Sequence, residues 1–153
     1  MLTGGMICTF STATDGLNHQ VPELGCKLSQ MIVVTGDMKI VGEGDILREL
    51  QAVGGTPSTT TRHFLMDRNV HLELRYVKLT LGSVTGGTGG CIKAQDNPNG
   101  VPGTRLTVLS SHFLSCIANG DRGGAIYAKA MNGEFFFFLC RFAIFIFLTD
   151  TDI

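Results

Sequence analysis

Gly89-Gly90-Cys91-Ile92-Lys93-Ala94 is nearly rewritten further along the chain as Gly123-Gly124-Ala125-Ile126-Tyr127-Ala128. Laying residues 71–94 on 105–128, a constant offset of 34, gives six identities in 24 positions: Leu72/Leu106, Gly86/Gly120, Gly89/Gly123, Gly90/Gly124, Ile92/Ile126 and Ala94/Ala128. Leu74/Val108 and Leu79/Phe113 keep their apolar character. A unit this short cannot bury its own apolar face and gains stability by stacking on a copy of itself. The near-repeat therefore predicts a solenoid, with Leu72, Leu74, Ile92, Leu106, Val108 and Ile126 as its interior ladder.

Outward from this stretch the apolar residues alternate. Phe64 and Met66, then Leu72, Leu74 and Tyr76, then Val77, Leu79 and Leu81 are each spaced by two, the period of a half-buried strand. Upstream, the segments 31–35 and 38–41 flank Gly36-Asp37 and read as strand, turn, strand, closing at Gly42-Glu43-Gly44. One helix is expected, over residues 45–53, with Asp45 as N-cap, Ile46, Leu47 and Leu50 as its apolar stripe, and Gly54-Gly55 as its stop. A Thr- and Ser-rich loop follows at 56–61. The offset of 34 exceeds what a coil of three short strands needs, and a strand-breaking loop at 96–104 is expected to hold the excess as a projecting insertion.

The composition fits one domain of short strands and tight turns. Of 153 residues, 44% are apolar but only 16% are charged, below the roughly 25% usual in soluble domains. Twenty glycines against four prolines, without a period of three, exclude collagen and a Pro-rich linker. The formal charge of −1, with no basic run longer than two residues, argues against a nucleic-acid partner. The first basic residue is Lys27, and the longest apolar stretch before it is Met6 to Cys8, so no signal peptide is visible in this chain. That predicts either an intracellular protein or a sequence whose true start is missing. The five cysteines, at 8, 26, 91, 116 and 140, form no Cys-x-x-Cys pair and have no histidines at zinc-ligand spacing. Two readings stand open: buried thiols acting as small hydrophobes, or a Cys8 to Cys26 bridge in an exported form.

Leu106 to Val108, Phe113, Ala118 and Gly123-Gly124-Ala125-Ile126-Tyr127 resemble the Phe-x-x-Asn and Gly-Gly-Ala-Ile repeats of polymorphic outer membrane protein-like right-handed parallel β-helices. Val34 to Glu43, Arg62-His63-Phe64 and Leu72 to Thr80 are similar to the early coils of such pectin-lyase-like domains. The resemblance covers residues 26–128. It leaves 1–25 as an irregular amino-terminal lead-in or cap, and 129–153 as an apolar, Phe-rich carboxyl-terminal segment. It implies an all-β right-handed parallel β-helix of about three to four coils, a fragment of a longer protein. It further implies an extracellular or cell-surface location, a structural or adhesive role, and carbohydrate or another surface protein as partner. Cys116 departs from the motif, standing three after Phe113 where Asn belongs, and the first copy has Leu79 and Gly82 there. No stacked Asn ladder is expected.

Chemistry is harder to find. Glycoside hydrolysis uses two carboxylates at matching places in adjacent coils, yet Glu73 aligns with Thr107 and Asp121 with Gly87. Asp67 and Asp96 sit in expected loops or strand ends. The paired-Asp and Gly-His-Gly motifs of polygalacturonases, and the calcium-binding Asp cluster of lyases, are missing. Asp121-Arg122 reads as an exposed turn. His63, His71 and His112 fall on expected strands and His19 in a loop, and all four read as surface or structural. In an extended strand Ser111 and His112 point to opposite faces, whereas Ser110 and His112 share one. Gly86-Gly87-Thr88-Gly89-Gly90 lacks the Lys and the helix that a phosphate loop requires. No catalytic, cofactor-binding or metal-ligating residue is assigned, and a non-enzymatic role is favoured. One alternative is a carbohydrate-active or carbohydrate-binding β-helix, which predicts an acidic and aromatic groove with Tyr76 and Tyr127 as its stacking residues. Another is a small intracellular β domain. Residues 135–148 hold seven of the ten phenylalanines and, interrupted by Arg141, fall short of the roughly 20 residues of a membrane-spanning helix. They are expected to cap the last coil, pair with another chain or meet lipid.

Overall fold

The computed structural model describes residues 6–8, 17–52, 61–94, 104–119, 124–129, 135–138, 141–142 and 147–149. The expected loops at 56–60 and 96–103, the Asp121-Arg122 turn and Cys140 lie outside them. In chain order the first strands are β1 (Met6–Ile7), β2 (Leu17–Val21), β3 (Cys26–Leu28), β4 (Ile32–Val34), β5 (Met38–Gly42) and β6 (Arg48–Ala52). The next are β7 (Phe64–Met66), β8 (His71–Arg75), β9 (Val77–Thr80), β10 (Ser83–Thr85), β11 (Ile92–Ala94) and β12 (Arg105–Leu109). The last are β13 (His112–Leu114), β14 (Ile117–Asn119), β15 (Ile126–Lys129), β16 (Phe135–Phe138), β17 (Arg141–Phe142) and β18 (Phe147–Thr149).

The protein is all-β, and every described strand pair is parallel. Three large sheets run β1-β3-β6-β9-β13-β17, β16-β12-β8-β5-β2 and β18-β15-β11-β7-β4, and β10 pairs with β14 in a fourth. From β2 onward the chain visits the three large sheets in one recurring order. In one of them Leu17 pairs with Met38, Met38 with Leu72, Leu72 with Leu106 and Leu106 with Phe135, one rung for each circuit of the chain. Strands on both sides of 26–128 join these ladders, and β16 continues the register of β12 with no break in pairing.

Parallel register places like on like. Leu72 pairs with Leu106, Leu74 with Val108 and Ile92 with Ile126, and all six side chains are fully buried. Ile40, Leu50, Phe64, Met66 and Leu79 complete the same core. The corners repeat as well as the strands. Tyr76 and Ser110 close β8 and β12 with positive φ of 52° and 45°, and Leu81 and Ser115 follow β9 and β13 at 63° and 55°. Each pair is related by the offset of the near-repeat, so the left-handed corner is dictated by position in the circuit, against the preference of these residue types.

Gly90 shows why the Gly pair recurs. A Cβ there would meet the Gly124 carbonyl oxygen at 2.6 Å and the Ile117 amide nitrogen at 2.5 Å. Successive turns approach too closely at this corner for any side chain.

Four expectations are corrected. The described residues of the expected 45–53 helix, 45–52, form none: a 3-10 turn at Glu43–Asp45 leads into β6, Asp45 takes a left-handed φ of 53°, and no side chain caps the turn. Parallel pairing of Cys26 with Leu50 and of Leu50 with Leu79 outweighs the local helical pattern, which so short a segment could not sustain alone. Leu81 ends the alternation of β9 as an exposed corner residue, and Tyr76 likewise lies between strands. His19 lies on β2. The 96–104 loop does not alone explain the offset of 34, because that circuit also holds β10, and the Met38 to Leu72 circuit is equally long without that loop.

The stacking makes a graded prediction for urea unfolding. Leu72→Ala is expected to cost about 3 kcal/mol by leaving a cavity between two rungs, and Gly90→Ala about 2 kcal/mol by overpacking. Val33→Ala, at an outward position on β4 that is 38% exposed, should cost under about 0.5 kcal/mol. Equal losses at all three positions would contradict the register.

Candidate functional site

Alternation turns the residues between the core positions outward, and one sheet carries a charged cluster. On β5, β8 and β12 the outward positions Lys39, Glu73 and Thr107 stand directly opposite one another. Arg75 is paired with Val41 and Leu109, and His71 with Arg105. Lys39 Nζ lies 3.1 Å from Glu73 Oε1, and the Arg75 guanidinium contacts the same oxygen. Partial burial would raise the Glu73 pKa, but the hydrogen bond from Lys39 and the charges of Arg75 and Lys39 outweigh it and hold the carboxylate low. Glu73 is thus an ionised anchor for two cations, unsuited to give up a proton near neutral pH.

His71 Nε2 is 2.9 Å from Thr107 Oγ1, and its backbone N–H donates to Asp37 Oδ1 at 2.7 Å. The hydroxyl and imidazole are within proton-transfer distance. The nearby Asp37 carboxylate is taken up by that backbone N–H, and among the described residues no carboxylate is bonded to the ring as the orienting acid of a catalytic triad would be. A second carboxylate, Glu49, belongs to a different sheet, where it accepts from Thr80 Oγ1 at 2.8 Å and pairs with Lys78 Nζ at 3.7 Å. The spacing argument that Glu73 faces Thr107 and not an acid is therefore realised in the pairing.

The other sequence candidates disperse. Tyr76 sits at a corner between β8 and β9, and Tyr127 lies on β15 of a different sheet. The Ser110-Ser111-His112 run is not a strand throughout: Ser110 is left-handed, and the buried Ser111 hydroxyl donates to the Leu109 carbonyl at 2.9 Å and accepts the Val77 N–H at 3.1 Å. Ser111 is a corner fastener. In the Gly86–Gly90 loop, the Thr88 and Gly89 carbonyls accept from the Arg62 guanidinium at 2.5 and 2.8 Å, a cation-facing arrangement opposite to that of a phosphate cradle. Among the described residues no group of three or more His, Cys, Asp or Glu could hold a metal ion. No helix of the described residues is long and apolar enough to cross a membrane.

Cys8 bridges Cys26, one of the two readings open from the sequence. Sequence reasoning missed three features, the first being that Cys91 bridges Cys116, a pairing that no spacing announces. Gly82 occupies the place of Cys116 in the preceding copy of the near-repeat, and a Cβ on Gly82 would collide with Cys91 Sγ. The small residue in one turn makes room for the bridge in the next. Buried Arg62, with carbonyls and a methionine sulfur about it, is the second. His63 is the third: it lies just before β7, fully enclosed, with Nε2 3.0 Å from the Leu50 carbonyl.

Comparison with protein-family models, with curated proteins and with solved structures gave no match.

His63 gives the pH prediction. Desolvation lowers its pKa from 6.5 to about 4, against the Leu50 and Thr80 backbones, which favour the charged ring. The folded state therefore holds the ring neutral while the unfolded chain takes up a proton below pH 6.5. Stability is complete above that pH and falls by about 3 kcal/mol as the pH drops through 4. His63→Gln keeps a donor for the Leu50 carbonyl without titrating. Urea midpoints measured from about pH 7 to pH 4 should decline less steeply in H63Q than in the parent chain, and identical slopes would exclude His63 as the source.

Proposed function

We propose that this chain is a right-handed parallel β-helix module of a secreted or cell-surface protein, with a structural or adhesive role and no catalytic one. The recurring visit to three parallel sheets, in register at Leu72/Leu106 and Ile92/Ile126, supports the coiled path. The single observation that carries the location is the pair of bridges, Cys8–Cys26 and Cys91–Cys116. Disulfides form and persist in oxidising compartments and are rare where glutathione keeps thiols reduced. The surface supports the role: on one face Glu73 is committed to holding Lys39 and Arg75, an arrangement for presenting fixed charge to a partner. Carbohydrate or another surface protein is the partner class this face would suit.

The bridges join cysteines separated by 18 and 25 positions, and by loop entropy each is worth about 3 kcal/mol. The test is alkylation and peptide mapping of the native protein isolated under non-reducing conditions. Both bridges are expected closed, and reduction should lower the urea midpoint markedly. Four free thiols at 8, 26, 91 and 116 in native material would sink the export reading and favour the small intracellular domain. Turnover of a panel of acidic and neutral polysaccharides would overturn the non-enzymatic reading.

A further inference from the structure

Arg62 is 8% exposed, yet among the described residues no carboxylate is paired with it. Its guanidinium instead links three successive turns of chain. Nε and Nη2 donate to the Gly89 and Thr88 carbonyls ahead of β11, and Nη1 points at Met31 Sδ, 3.9 Å away, just before β4. Arg62 itself stands just before β7, whose Phe64 pairs with both Ile32 and Ile92. A buried cation is stabilised by oxygen acceptors. On two sides Arg62 has them. On the third it has a thioether, a weak acceptor.

Met31 is also, among the described methionine side chains, the one an oxidant would reach. It is half-buried, whereas Met38 and Met66 are 5% and 0% exposed in the core. We propose that Met31 is a site of reversible oxidation by peroxide-class oxidants, and that the resulting sulfoxide oxygen accepts a hydrogen bond from Arg62 and tightens this corner. In the step, a sulfur lone pair attacks one peroxide oxygen and the O–O bond breaks. The S–O bond forms, and the proton on the transferred oxygen passes to the departing hydroxide, which leaves as water. Sulfur is oxidised by two electrons and the peroxide is reduced. The new oxygen lies between sulfur and Nη1, bringing a 3.9 Å contact to hydrogen-bond length with a charged donor. Oxidation of a core methionine disrupts packing; here it supplies the acceptor that a desolvated guanidinium lacks. Methionine sulfoxide reductases reverse the change.

The experiment compares the full chain with Met31→Leu and Met31→Gln before and after dilute hydrogen peroxide, with disulfides intact. Peptide mass mapping locates the added oxygen and thermal unfolding reads its effect. Oxidation at Met31 with a rise of roughly 3 °C in the midpoint, missing in M31L, is the expected result. M31Q carries an amide oxygen at a similar reach and should show a comparable rise without peroxide. A fall or no change in the midpoint when Met31 is oxidised, with M31Q no more stable than M31L, would overturn the proposal. So would a Met31 that resists peroxide under conditions that oxidise a free methionine peptide.

Discussion

Parallel, in-register pairing between successive turns is the constraint on which everything else depends. Register with a period of two fixes which side chain faces in, so Met38, Leu72 and Leu106 stack in one column and Lys39, Glu73 and Thr107 in the column beside it. The core and the charged face are thus two sides of one decision. A slip of one residue would put Glu73 in the core and Leu72 in solvent, and the desolvation of Glu73 makes that register far costlier than the native one.

The core was legible because it depends on periodicity alone. Leu72/Leu106 and Ile92/Ile126 are identical in sequence and paired in space, and the Gly89-Gly90 corner marks where the turns come too close for side chains. The corners at Tyr76 and Leu81 were not legible. A bulky residue with positive φ contradicts local preference, and only the recurrence of left-handed backbone at Ser110 and Ser115 shows that the circuit imposes it. Residues 45–53 failed for a related reason: Asp45 and the Ile46, Leu47, Leu50 stripe satisfy a local helix rule, but Leu50 is claimed by Cys26 on one side and Leu79 on the other. Long-range pairing, invisible in so short a window, decides the outcome.

The candidate site was legible only in part. That Glu73 would face Thr107 followed from the offset, but its capture by Lys39 and Arg75 required a third strand, β5, which departs from the repeated segment. The Cys8–Cys26 bridge was one of two readings the sequence left open, and the Cys91–Cys116 bridge was not legible. Cys91 and Cys116 meet because Cys116 directly precedes β14, whose Ile117 lies against Gly90, with Gly82 clearing the space for sulfur.

Arg62 and His63 together show how a chain with so few charges uses polar groups inside. They are neighbours in sequence with opposite electrostatic solutions. His63 has an accessible neutral state, so burial removes its charge and leaves one hydrogen bond to the Leu50 carbonyl. Burial pushes the Arg62 pKa down too, but a guanidinium stays protonated at any pH the protein meets, so it must be given acceptors instead. The Thr88 and Gly89 carbonyls serve here, and residues 86–91 lie outside any strand. The same glycines that let the turns approach therefore leave carbonyls outside the ladder, and Arg62 converts that deficit into a link between turns. Irregular backbone and buried cation each answer the other's unsatisfied hydrogen bonds, which is why both are tolerated at one corner of an otherwise apolar core.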